Sequence, residues 1–92
     1  MYMVIRNNKA VTYELMQGGR TVYIGITNDP RARFGEHKSS GKQFQQLRVT
    51  SRALSRWKAG RKETGDLMKY KRKYGYRPIY NHTWNGKFNQ GW

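Results

Sequence analysis

Val11-Thr12-Tyr13-Glu14-Leu15-Met16-Gln17-Gly18-Gly19-Arg20-Thr21-Val22-Tyr23-Ile24-Gly25-Ile26-Thr27-Asn28-Asp29-Pro30-Arg31-Ala32-Arg33-Phe34-Gly35-Glu36-His37 is the stretch that decides the fold. It reads as strand, glycine turn, strand and helix. Residues 11–16 alternate weakly and carry β-branched and aromatic side chains, and residues 21–26 do so more clearly. Gly18-Gly19 between them is a hairpin turn, since glycine accepts positive φ without steric cost. Asn28 or Asp29 caps the helix that follows, with Pro30 in its first turn where a missing N–H costs little. That helix is expected to run to Ser39 or Ser40, with Gly41 ending it. Tyr13 and Tyr23 stand one on each strand, and Arg33 and His37, at i and i+4, share one helix face. Two phenols, a guanidinium and an imidazole thus converge. Such a set can handle a phosphate: Arg grips its oxygens while Tyr or His moves a proton.

The hairpin carries a register problem. A two-residue Gly-Gly loop pairs Gln17 with Arg20 and, by simple counting, Tyr13 with Ile24. Tyr23 then points to the face opposite Tyr13, because side chains alternate along a strand. For both phenols to serve one site, the loop must be odd in length or a bulge must shift one strand.

Val11-Thr12-Tyr13 followed by Tyr23-Ile24-Gly25 resembles the paired signature of the GIY-YIG nucleases, with Val-Thr replacing Gly-Ile in the first element and the second intact. The run from Asp29 to His37 is similar to the family's helix, whose arginine falls on Arg33. The resemblance extends to an acidic metal ligand at Glu63 and a closing asparagine at Asn81, so it covers the chain from Val11 to Asn81. It implies a small α/β (α+β) layer, a three-stranded, mainly antiparallel sheet flanked by helices, with residues 1–92 forming one domain.

Composition agrees with this class. Ninety-two residues suit one small domain. Nineteen Lys and Arg against five Asp and Glu give a net charge of +14, which attracts polyanions. Because the basic residues are interleaved with seven tyrosines and three tryptophans rather than set on an amphipathic apolar helix, nucleic acid is the expected partner, not a membrane surface. No apolar run is long enough to span a bilayer, and the Met1-Tyr2-Met3-Val4-Ile5 start is too short for a signal-peptide core. The absence of cysteine excludes disulfides and thiolate metal sites. A cytoplasmic, intracellular setting is the expectation.

Further along, residues 2–5 are expected to form a short strand and residues 46–50 a third. Thr50 or Ser51 caps a long helix to about Tyr74, stopped by Gly75 and Pro78. Ala53, Leu54, Trp57, Thr64, Leu67 and Met68 recur at helical spacing as its expected buried stripe. Gly60 and Gly65 each weaken it by about 1 kcal/mol, so a kink or break near them is open. The aromatics of residues 79–88 are expected to lay a final segment on the core. Ten of the nineteen basic residues fall between Arg52 and Arg77, which makes this helix the expected backbone-tracking surface, with Arg52, Arg56, Lys69, Lys71 and Lys73 as phosphate contacts. Arg31, about 200° around the first helix from Arg33, is expected to touch backbone phosphates as well.

The resemblance implies a metal-dependent endonuclease that hydrolyses phosphodiester bonds in DNA, acting as monomer or homodimer without a small-molecule cofactor. Tyr13 would activate water, His37 would take its proton, Tyr23 would orient water or phosphate, and Arg33 would stabilise the transferring phosphate. Glu63 would hold one Mg²⁺ (or Mn²⁺), and Asn81 would brace the site. Asp66 is the other carboxylate on the long helix. The chain's five carboxylates leave a two-metal site undersupplied. A second reading, in which the degenerate Val-Thr marks a basic nucleic-acid-binding module without catalysis, needs only the charged surface.

Overall fold

Gly18 and Gly19 have φ of 57° and 79°, the paired left-handed geometry that lets a two-residue loop return a twisted strand on itself. The turn joins strand β1 (Lys9–Gln17) to β2 (Arg20–Thr27). Gln17 pairs with Arg20 and Met16 with Thr21, as a two-residue loop requires, but the register then shifts and Leu15 pairs with Tyr23 and Tyr13 with Gly25. Val22 is the extra residue, a β-bulge. The shift resolves the register problem, because Tyr23 now shares a face with Leu15 and Tyr13.

The computed structural model describes Ile5, Arg6 and residues 8–81. β1 is the central strand, flanked by β2 and by β3 (Gln46–Val49), every pairing antiparallel. A two-residue strand β4 (Leu54–Ser55), which the sequence analysis did not anticipate, pairs with Lys9 and Ala10 at the start of β1. The expected strand at residues 2–5 lies outside the described residues apart from Ile5, as do residues 82–88 of the expected final segment.

Helix α1 (Pro30–Ser39) starts as expected, with the Asp29 side chain accepting from the Ala32 N–H at 3.1 Å and Pro30 at the first position. Thr27 Oγ1 accepts from the Asp29 N–H at 2.9 Å, which fixes how the chain leaves β2. Helix α2 (Arg56–Tyr74) is unbroken through Gly60 and Gly65 and ends at Gly75, whose φ of 86° gives the left-handed cap. Its start differs from expectation. Ser55, not Thr50 or Ser51, is the cap, because residues 54–55 are held in β4. Arg52 and Ala53 therefore precede the helix.

The two faces of the sheet have separate cores. Tyr13, Leu15, Val22 and Phe44 pack on one, with Tyr23, Leu47 and Tyr80 against them. Ala10, Ile26 and Ala59 pack on the other with Leu54 beside them, so α2 crosses that face. The expected stripe of α2 is corrected accordingly. Trp57 is 68% exposed under the Arg61 guanidinium and Met68 is 57% exposed, while Ala59 is buried and Glu63, Asp66, Leu67 and Tyr70 are half-buried. Periodicity located a stripe but misjudged its phase: the short side chain of Ala59 is fully buried against Ala10 and Ile26, and this contact sets which side of the helix meets the sheet. Among the described residues no helix is long and apolar enough to cross a membrane.

A short 3-10 turn, Ile79–Asn81, closes the open edge of β2. The Asn81 amide accepts the Ile24 N–H at 2.8 Å and donates to the Ile24 carbonyl at 3.0 Å, a side chain completing a strand edge. Asn81→Ala leaves both groups of the buried Ile24 unpaired and is expected to cost about 1–3 kcal/mol, read as a lower urea midpoint with an unchanged slope. Asn81→Asp, which keeps the acceptor and loses the donor, should fall between parent and Asn81→Ala.

Candidate active site

Strand pairing and helix capping bring four predicted site residues together. Tyr13 is buried opposite Gly25, and its hydroxyl lies 2.7 Å from His37 Nε2. Tyr23 tilts against both, its ring centroid 6.0 Å from that of Tyr13 and 4.8 Å from that of His37. Gly25 makes this possible. A Cβ there would stand 2.8 Å from Tyr13 Oη and 2.7 Å from Tyr23 Cε2, so a side chain would displace both phenols. The glycine of the second motif is thus a space requirement, since its φ is not left-handed. His37 reaches the phenols because α1 lies over this face, with Phe34 and Phe44 edge to face at 5.2 Å beneath it.

Burial governs the protonation states. Desolvation raises Tyr13 well above the ordinary tyrosine value; Tyr23 and the Glu63 charge push the same way and Arg33 opposes them. Tyr23 is raised by burial and by Glu63, again against Arg33. His37 is lowered to about 4 by burial first and then by the charges of Lys42 and Arg33. At neutral pH the pair is therefore a neutral phenol beside a neutral imidazole whose Nε2 can accept the phenolic proton.

Arg33 influences all of these groups. Its guanidinium pairs with Glu36 at 3.1 Å, while the carboxylate of Glu36 stays in solvent. A second cation, Lys42, escaped the sequence analysis. Its ammonium is 5.6 Å from the Tyr23 ring centroid and 5.8 Å from that of Tyr80, and burial and Arg33 lower its pKa. Nothing but its place just past the helix-ending Gly41 distinguishes it among nineteen basic residues.

Glu63 comes from α2. It makes no hydrogen bond or ion pair with another described residue, and burial followed by the nearby Asp66 charge raises it to about 7. Asp66 instead binds Lys62 at 2.8 Å. A half-buried carboxylate with no hydrogen bond or ion pair among the described residues, whose charge is felt by both phenols, fits a hard divalent cation. The described residues hold no cluster of three or more potential ligands, so such an ion would complete its shell with water and phosphate oxygens, as Mg²⁺ commonly does. Asn81 does not enter this group directly; it holds the Ile24 backbone between Tyr23 and Gly25.

The expected phosphate contacts are dispersed. Arg31 is exposed on α1, Arg52 lies ahead of β4, and Arg56 opens α2. Lys69 and Lys73 line one groove beside α2, whereas Lys71 is not among its lining residues. One turn of helix explains the split: positions 69 and 73 share a face and 71 lies about 160° from it.

The family model for the GIY-YIG catalytic domain matches residues 2–76. No curated protein and no solved structure matches the chain.

Two titrations follow from this electrostatic picture. The His37 ring resonances are expected to remain those of a neutral imidazole on acidification until about pH 4; a midpoint near 6.5 would place the ring in solvent. For Glu63 the folded pKa of about 7 lies above the ordinary 4.5, so the folded protein holds a proton that the unfolded chain releases. Stability should therefore decline as pH rises through that window, the whole deficit being present above about 7. Without metal, Glu63→Gln should melt above the parent at pH 8, and the gap should close toward pH 4.5. Equal melting at pH 8 would mean that the ionised carboxylate is paired.

Proposed function

The chain belongs to the GIY-YIG family, and from that premise we propose that it is a metal-dependent DNA endonuclease whose reaction centre is Tyr13, Tyr23, Arg33, His37 and Glu63. The carrying observation is the 2.7 Å bond between Tyr13 Oη and His37 Nε2, made inside a group of charges that acts on both phenols.

Arg33, with Lys42 beside it, binds the scissile phosphate and neutralises charge that grows as a fifth oxygen approaches phosphorus. A free tyrosinate is not required and burial disfavours it. As water attacks phosphorus, its proton passes to Tyr13 Oη while the phenolic proton passes to His37 Nε2, so no tyrosinate forms, His37 ends as the imidazolium, and the departing oxygen takes its proton from solvent water. Tyr23 orients the water or a phosphate oxygen. Glu63 would hold Mg²⁺ or Mn²⁺, which when bound stabilises negative charge on the phosphate and the departing oxygen. A cation there also favours the ionised carboxylate, so occupancy and activity should rise with pH through about 7. The excess of basic residues over the surface supports backbone contact with DNA.

Purified protein is expected to nick or cut plasmid DNA with Mg²⁺ and to stop on addition of EDTA. Arg33→Ala should lower cleavage by about 10²–10³-fold with little change in gel-shift affinity, since one charge among nineteen contributes little to binding. Glu63→Gln should bind at least as tightly as the parent and fail to cut, while Asp66→Asn still cuts. Tight binding by the parent without any cleavage under these conditions would establish the non-catalytic module instead.

A further inference from the structure

On the sheet face opposite the Tyr13–His37 pair, α2 and the hairpin enclose a groove of about 600 Å³. Tyr70, Tyr74 and Tyr76 form one wall, with ring centroids 4.5 Å apart for Tyr70 and Tyr74 and 6.4 Å for each pairing with Tyr76. Tyr70 is anchored, its hydroxyl donating to the Thr21 carbonyl at 3.4 Å. Tyr74 and Tyr76 are not buried by this cluster; they remain 48% and 54% exposed. Four cations, Arg20, Lys62, Lys69 and Lys73, line the same groove, and Lys73 Nζ is 5.3 Å from the Tyr74 ring centroid. Two carboxylates also line it. Both are engaged, Glu14 with Arg48 at 2.7 Å and Asp66 with Lys62 at 2.8 Å, so they leave the groove positive.

We propose that this groove binds a single-stranded segment of the DNA substrate, an unstacked base lying on Tyr74 and Tyr76 and the neighbouring phosphates on Lys69, Lys73 and Arg20. The inference rests on the nuclease reading for its choice of DNA, though not for the binding itself. Duplex DNA satisfies lysines, but its base faces are already stacked and leave exposed tyrosine rings nothing to cover. An unpaired base offers a π-face to the rings while its phosphates meet the cations, the combination by which proteins hold single strands. The volume is within the range of sites that enclose a small organic group. β1 links groove and reaction site: Tyr13 and Glu14 both line the groove, and the Tyr13 hydroxyl reaches His37. A substrate with duplex beside single strand would therefore be held on both faces of the sheet.

The test is fluorescence anisotropy with labelled single-stranded and duplex oligodeoxynucleotides of one sequence and length. The Tyr74→Ala/Tyr76→Ala variant should weaken single-strand binding at least about fivefold, the lower bound for losing one base stack, and leave duplex binding within about twofold. Tyr74→Phe/Tyr76→Phe keeps the rings and should restore single-strand affinity. Lys69→Ala/Lys73→Ala should weaken single-strand binding and reduce its salt slope. Equal losses on both DNA forms, no loss on either, or failure of the phenylalanine variant to restore binding would overturn the groove as a stacking site. Tighter binding of RNA of the same sequence would overturn its assignment to DNA. All of these are binding readouts, so a protein that binds in this way yet cuts nothing would fail as a nuclease while retaining the groove.

Discussion

One extra residue in β2 governs the rest of the structure. Side chains alternate along a strand, so with Tyr13 opposite Ile24 the second phenol would face α2 and no pair could form. The bulge at Val22 restores Tyr23 to the face of Leu15 and Tyr13 and places Gly25 opposite Tyr13. Several features depend on this registry. Gly25 leaves room for the Tyr13 hydroxyl, α1 supplies His37 to it, and the Asn81 amide pins the β2 edge at the residue between Tyr23 and Gly25. A bulge costs ladder hydrogen bonds locally; here it re-aims a side chain, as bulges beside functional sites commonly do.

Burial then sets the chemistry. The same low-dielectric setting that keeps Tyr13 and Tyr23 protonated keeps His37 neutral and makes Glu63 reluctant to ionise. Each group is held in its uncharged form until a charged partner arrives. A phosphate near Arg33 and Lys42 and a cation near Glu63 would each supply that partner, which ties the competence of the site to the presence of its ligands. The salt bridge from Arg33 to solvent-exposed Glu36 is of the kind a phosphate can displace at small cost.

The sheet separates two kinds of surface. On one face α1 and the Phe44 loop build a core that also holds the Tyr13–His37 pair. On the other, α2 touches the sheet closely at Ala59 and then diverges into a basic and aromatic groove toward its C-terminal end. Basic side chains stand on both, Arg33 and Lys42 beside the phenols and Arg20, Lys62, Lys69 and Lys73 in the groove.

Much of this was legible in the residues themselves. Gly18-Gly19 specified the turn by its φ values, Asp29-Pro30 specified the start of α1, and i,i+4 spacing put Arg33 and His37 on one face, because each is a local property of a few neighbouring residues. The two tyrosine motifs and the sequence counterpart at Glu63 identified the family, and Glu14 was assigned to the opposite face by simple alternation. Tertiary structure decided what depends on distant partners. Only the assembled ladder shows where the extra residue of β2 falls, and only pairing of residues 54–55 with β1 moves the start of α2 to Arg56. The phase of the α2 stripe, the arrival of Lys42 over Tyr23 and the bonding of Asn81 to Ile24 likewise have no local signal. They arise from contacts between segments that lie far apart in the chain, and a single sequence carries the capacity for such contacts without saying which of them will form.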